Sequence, residues 1–134
     1  KENLISSGLK DKKVRFLVDD VIKFVKREIR RGNKYDVIIM DPPSYGRGKN
    51  GEVWSIEKDL YDLLSLCSEL LSENPLSVVI NTYTGGLSGT IIKNAASMAF
   101  KDNKYKRITF DEIGLKQSKE EKFLPCGITT IVEF

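Results

Sequence analysis

Four consecutive apolar residues, Val37-Ile38-Ile39-Met40, run straight into Asp41-Pro42-Pro43. Neither proline can donate to a ladder, and each pushes the residue before it toward an extended backbone, so the apolar run ends where the prolines begin. A short continuous apolar run of this kind is the pattern of a strand covered on both faces, which occurs where helices cross over between parallel neighbours. The segment therefore predicts an α/β domain with a mainly parallel sheet. Alternating patterns on either side agree. Residues 1–7 read as the end of a helix closed by Gly8, and Val14 to Val18 as a short strand. From Asp20 to Arg31, Ile22, Val25 and Ile29 recur at helical spacing until Gly32-Asn33 stops the run. Residues 44–53 form a Gly-rich loop, and 56–72 an amphipathic helix through Ile56, Leu60, Leu63, Leu64, Leu70 and Leu71. Leu76 to Asn81 is a second buried strand, followed by a helix from Gly89 to Phe100. Two β-rich stretches, Tyr105 to Ile113 and Gly127 to Phe134, flank the charged connection Gln117 to Lys122 and predict an antiparallel C-terminal edge.

Whether such a chain can bury a core is a question of composition. Leu, Ile, Val and Phe supply 41 of 134 residues, above the roughly 20% below which chains stay disordered. At this length there is room for one core, so residues 1–134 read as a single domain. The absence of His removes Ser-His and Cys-His hydrolase triads and imidazole zinc sites, and two cysteines, Cys67 and Cys126, are too few for a thiolate zinc site or a disulfide framework. No metal is expected, and a reduced, cytoplasmic chain is the simplest reading. No apolar run approaches the ~18 residues of a membrane span. A net charge of +3 does not select a partner, although residues 1–34 hold 11 Lys+Arg against 5 Asp+Glu. Within that basic stretch, Lys23, Lys26, Arg27, Arg30 and Lys34 share a helical face, either a track for phosphates or the solvated back of the helix.

Ligands of open α/β sheets bind at the carboxyl ends of the strands, which is where Asp41-Pro42-Pro43-Ser44-Tyr45 lies. The two prolines stiffen a surface made of acceptors: the Asp41 carboxylate and backbone carbonyls. It suits the amino or ring N–H of a flat base, with Tyr45 available to stack on it. Beyond it, Gly46, Gly48 and Gly51 spell G-x-G-x-x-G. A dinucleotide site wants its first glycine at the strand end, whereas residues 41–45 intervene here, and a kinase loop would need a His-Arg-Asp partner. The expected role is a lid beside the substrate, with Arg47 and Lys49 available to phosphates.

Three stretches carry a family resemblance: Phe16-Leu17-Val18-Asp19-Asp20-Val21, Tyr35 through Tyr45, and Leu124-Pro125-Cys126-Gly127. With the order of elements, they make the chain similar to class I S-adenosylmethionine-dependent methyltransferases, specifically the ribosomal RNA large-subunit methyltransferase-like group. The resemblance implies a Rossmann-like sheet that lacks the first strands of the methyltransferase fold, because the Gly-rich cofactor loop and the ribose-binding acid of the family lie upstream of the part corresponding to Lys1. It implies S-adenosylmethionine as cofactor, with Asp20 on the adenine amino group, Val21 against the ring and Asp41 between cofactor and acceptor. Asp41, Pro42, Pro43 and Tyr45 become the catalytic set, and RNA, in particular ribosomal RNA, the partner. Asp19-Asp20 equally fits an N-cap pair for the next helix, and the two roles are compatible. The branch that methylates carbon 5 of cytosine uses a Cys after the second buried strand, where this chain has Asn81-Thr82-Tyr83-Thr84, so methylation of a base nitrogen fits better. Cys126 is expected to be buried at the start of a strand. Two further readings stay open: a noncatalytic nucleic-acid-binding fragment, and a nucleotide-binding enzyme using the glycines of residues 46–51. With the upstream strands absent, the strand at Val14 to Val18 and that at Val37 to Met40 must either pair directly or expose apolar edges that invite a second copy, a homodimer.

Overall fold

The structure, a computed structural model, describes residues 2–48 and 51–134. Helix α1 (Glu2–Ser6) ends at Gly8, whose φ of +68° is the left-handed cap that the sequence implies. Helix α2 (Val21–Arg30) starts on Asp20, whose extended backbone and side-chain acceptor for the Lys23 N–H make it the N-cap. Strand β1 (Val37–Met40) follows. Residues 44–53 are more ordered than a loop: β2 (Tyr45–Arg47) and β3 (Val53–Ser55) pair antiparallel, with Gly46 opposite Trp54. Then come α3 (Ile56–Ser68), β4 (Ser77–Thr82), α4 (Gly89–Ala99), β5 (Arg107–Lys116) and β6 (Phe123–Glu133).

The main sheet has the order β1-β4-β6-β5. The β1/β4 pair is parallel, and the C-terminal hairpin adds β6 and β5 antiparallel to it, so the sheet is mixed. Strand β4 alternates strictly, sending Val78, Ile80 and Thr82 to the buried face. Against that face pack Ile56, Leu60 and Leu64 of α3, Ile92 and Ala96 of α4, and Phe100. Leu64, Ile80, Ile92 and Phe100 are fully buried, each stabilising the fold by about 1.5–3 kcal/mol relative to exposure. On its other side α3 meets α2, where Val25, Leu63, Cys67 and Leu70 form a second cluster. Burial pushes the Cys67 thiol up to about 11, so it stays a packed, protonated group.

Two expectations are corrected. Val14 to Val18 belongs to no strand, and Val14, Phe16, Leu17 and Val18 are exposed. Strand β1 is not covered on both faces: β4 is its only partner in the sheet among the described residues, and Val37 and Ile39 are exposed. The reason is the same for both. A strand exists by virtue of a neighbour, and local apolar pattern cannot say whether one is present. Of the two alternatives for these segments, exposure rather than direct pairing is observed.

The turn between α2 and β1 is held by Glu28, which is 2% exposed. Its carboxylate accepts from Tyr35 Oη at 2.6 Å, Asn33 Nδ2 at 2.7 Å and Arg31 Nη1 at 3.0 Å. These donors stabilise the charged form and hold the carboxyl down at about 2, the Tyr35 hydroxyl contributing most, and the same contact raises the Tyr35 pKa. This network fixes where β1 begins and hence where Asp41 emerges.

Candidate active site

A cavity of about 820 Å³ opens where β1 ends, between the N-terminus of α2, the β2/β3 ribbon and α3. Asp20, Val21, Asp41, Pro42, Pro43 and Arg47 all line it. Two segments separated by some twenty residues of sequence are thereby brought to one site, because α2 packs against α3 through Val25 while β1 is registered on β4.

Each element contributes through its local chemistry. Capping the helix uses one oxygen of the Asp20 carboxylate, Oδ1, which accepts from the Lys23 N–H at 2.9 Å. Asp19 is engaged elsewhere, with Arg27 and with the Asp20 N–H, and the Arg27 contact holds its carboxyl below the usual range. Around the Asp41-Pro42-Pro43-Ser44 turn three tethers are set. Trp54 Nε1 donates to the Pro43 carbonyl at 2.7 Å, Ser44 and Thr84 share a hydroxyl hydrogen bond at 2.6 Å, and the Ile56 N–H donates to the Ser44 carbonyl at 3.1 Å. No hydrogen bond reaches the Asp41 carboxylate or the Pro42 carbonyl among the described residues.

Other expected residues are placed differently. Tyr45 is exposed and does not line the cavity, and its hydroxyl accepts from Arg47 Nε at 2.9 Å. Alternation along β2 sends Gly46 to the face that meets Trp54, and Trp54 is the aromatic residue that lines the cavity. The only tryptophan of the chain was missed because it stands eleven residues beyond Pro43, and only ribbon pairing folds it back. Lys49 lies outside the described residues. Of the basic face on α2, Lys23 pairs with Glu52 at 3.2 Å and Lys34 donates to the Glu69 carbonyl at 2.7 Å, which favours the solvated-face reading. The three glycines shape the ribbon turn: Gly48 N–H donates to the Glu52 carbonyl at 2.8 Å and Gly51 N–H to the Gly48 carbonyl at 3.2 Å, so these amides are not free to cradle a phosphate. Cys126 is exposed, against expectation, as are Phe123 and Leu124 at the start of β6. It lines a smaller cavity of about 490 Å³ with Tyr83, Thr84 and Glu112. No cluster of metal-ligating side chains occurs among the described residues.

Solved structures resemble this fold along nearly the whole chain. A methyltransferase from Agrobacterium tumefaciens, described as S-adenosylmethionine-dependent, superposes on 98% of this chain with a TM-score of 0.86 and 28% identity. The fold is that of the S-adenosylmethionine-dependent methyltransferases. Another of this kind, from Streptococcus mutans, covers 98% of the chain at a TM-score of 0.67 and 25% identity, and a methyltransferase solved in complex with SAH covers the same share at 0.71 and 27%. In sequence the chain is 33% identical over 107 residues to the ribosomal RNA large subunit methyltransferase I of Klebsiella pneumoniae, and 30% over 105 residues to that of Escherichia coli. No family model matches. The resemblance read from the sequence thus holds along most of the chain, which spans about a quarter of the length of these curated relatives (26%) and 44% of the Agrobacterium chain.

The cavity suits one end of S-adenosylmethionine. Val21, Ile22, Pro42 and Leu63 provide apolar walls for a flat ring, and the Asp20 oxygen not used by the cap can accept from an exocyclic amino group.

Proposed function

We propose that this chain is part of an S-adenosylmethionine-dependent methyltransferase that modifies a base of ribosomal RNA. The observation that carries the proposal is the convergence of Asp20 and Val21 with Asp41-Pro42-Pro43 on one cavity at the carboxyl end of the sheet. The names of its relatives supply the class of acceptor.

When bound, S-adenosylmethionine supplies a methyl group on a sulfonium, which a nucleophile can take by direct displacement. Asp20 and Val21 hold and orient the adenine. Asp41 and the Pro42 carbonyl accept from the N–H groups of the acceptor base and turn its nitrogen toward the methyl. Their acceptors stand ready because no group within the described residues occupies them. Rate enhancement then comes mainly from alignment, with little acid–base work. Arg47 is available to phosphates only as a secondary contact, since it already serves Tyr45. At the end of β4 the chain carries Thr82, Tyr83 and Thr84 and no cysteine, and the thiol that shares the cavity there is Cys126 of β6.

The test is calorimetry with S-adenosylmethionine, ATP and NAD, on this chain and on a version extended to the length of its relatives, followed by transfer of labelled methyl to ribosomal RNA. Binding of S-adenosylmethionine and transfer by the extended protein are expected. The 134-residue chain alone is expected to bind the cofactor poorly, since β1 is left as an exposed edge next to the cavity. RNA affinity indifferent to the cofactor would instead support a noncatalytic module, and ATP or NAD binding would refute the assignment.

A further inference from the structure

We infer that Trp54 is a positioning residue of this site: its indole N–H holds the Pro43 carbonyl and so leaves the Pro42 carbonyl and the Asp41 carboxylate as the acceptors presented to a substrate. The inference rests on the proposed methyl-transfer function but stands on its own geometry. The stretch Asp41-Pro42-Pro43-Ser44 carries two residues that have no N–H, so it cannot stabilise itself through a backbone ladder. It must be held from outside through its carbonyls and side chains. One such hold comes from Trp54, at 2.7 Å from the Pro43 oxygen. Trp54 is well placed to be rigid: it is half-buried, it packs against both hydrophobic clusters, and its backbone is paired with Gly46 across the ribbon.

The chemical consequence is selective. A turn with two consecutive proline carbonyls offers two similar acceptors to any donor that arrives. With the Pro43 carbonyl engaged, the acceptors left at the strand end are Pro42 and Asp41, a pair that suits a base edge carrying N–H donors. The same ring lines the cavity, so its position also limits where a flat acceptor can lie.

The N–H is removed with the bicyclic ring kept by β-(3-benzothienyl)alanine at position 54, which has sulfur in place of the N–H; Trp54→Phe is the coarser variant, which keeps an aromatic ring but a smaller one. Backbone relaxation at Asp41 and Ser44 in the 134-residue chain reports the tether directly, and methyl transfer by the extended protein reports its use. Both replacements are expected to increase mobility at Asp41 and Ser44, with the melting temperature largely kept by the isostere. They are also expected to lower kcat by about tenfold or more while cofactor Kd stays within about threefold. Unchanged mobility overturns the inference, whether or not kcat falls, since a fall would then come from the ring itself. Increased mobility with an unchanged kcat overturns the positioning role. If mobility increases but the unaltered extended protein transfers no methyl group, the function assigned to the site fails while the tether stands.

Discussion

Asp20 is asked to do two things, and they can be separated by substitution. Its Oδ1 caps α2 by accepting from the Lys23 N–H at 2.9 Å, and the proposed function gives its other oxygen to the adenine amino group. Replacement by Ala removes both roles. Loss of an N-cap side chain costs about 1 kcal/mol, and α2 transmits it to the fold because Val25 packs on α3. Asn is nearly as good a cap as Asp, so Asp20→Asn should keep stability within a few tenths of a kcal/mol. Its one amide oxygen is then committed to Lys23, and the NH₂ that replaces the second oxygen faces the adenine amino group as donor against donor. The lost charge-assisted bond is worth about 1.5–3 kcal/mol, or roughly tenfold to 150-fold in Kd. Urea denaturation of the chain and calorimetry with S-adenosylmethionine on the extended protein measure the two effects independently. Wild-type affinity in Asp20→Asn would refute the adenine contact. Unchanged stability in Asp20→Ala would refute the cap.

Three further predictions follow from particular contacts. Asp41→Ala should abolish methyl transfer in the extended protein while leaving cofactor Kd within about tenfold, because the free carboxylate faces the acceptor; a rate assay with unchanged turnover would remove Asp41 from the site. Gly127 sits at φ +117°, and a Cβ there would run into the Thr82 carbonyl, so Gly127→Ala should cost at least about 2 kcal/mol in urea denaturation and separate the end of β6 from β4. Glu28 has its pKa lowered from 4.5 to about 2, so the stability it contributes is complete above about 4.5 and is lost as pH falls toward 2. Glu28→Gln should flatten the stability profile in that window, and an identical slope in acid titration followed by circular dichroism would show that the Tyr35-Asn33 network does not stabilise the fold.

Local chemistry in the sequence was enough to place most elements. Gly8 and Gly32 adopt the positive φ that ends α1 and α2, Asp20 caps where an acid before an apolar period should, and the strict alternation of β4 and the amphipathic α3 follow from residues a few positions apart. The double proline likewise marks the candidate turn without any tertiary information, because it removes two N–H groups whatever surrounds it. Long-range pairing decided the rest. Val14 to Val18 and Val37 to Met40 have similar apolar patterns, yet only the second finds β4 as a neighbour and becomes a strand, since strand formation depends on a partner that the segment does not encode. The choice of aromatic at the site was settled in the same way. Tyr45 stands next to the prolines in sequence, but one ribbon register turns it out to Arg47 and brings Trp54 back over Pro43, because alternation across an antiparallel pair assigns each side chain a face that sequence distance does not predict.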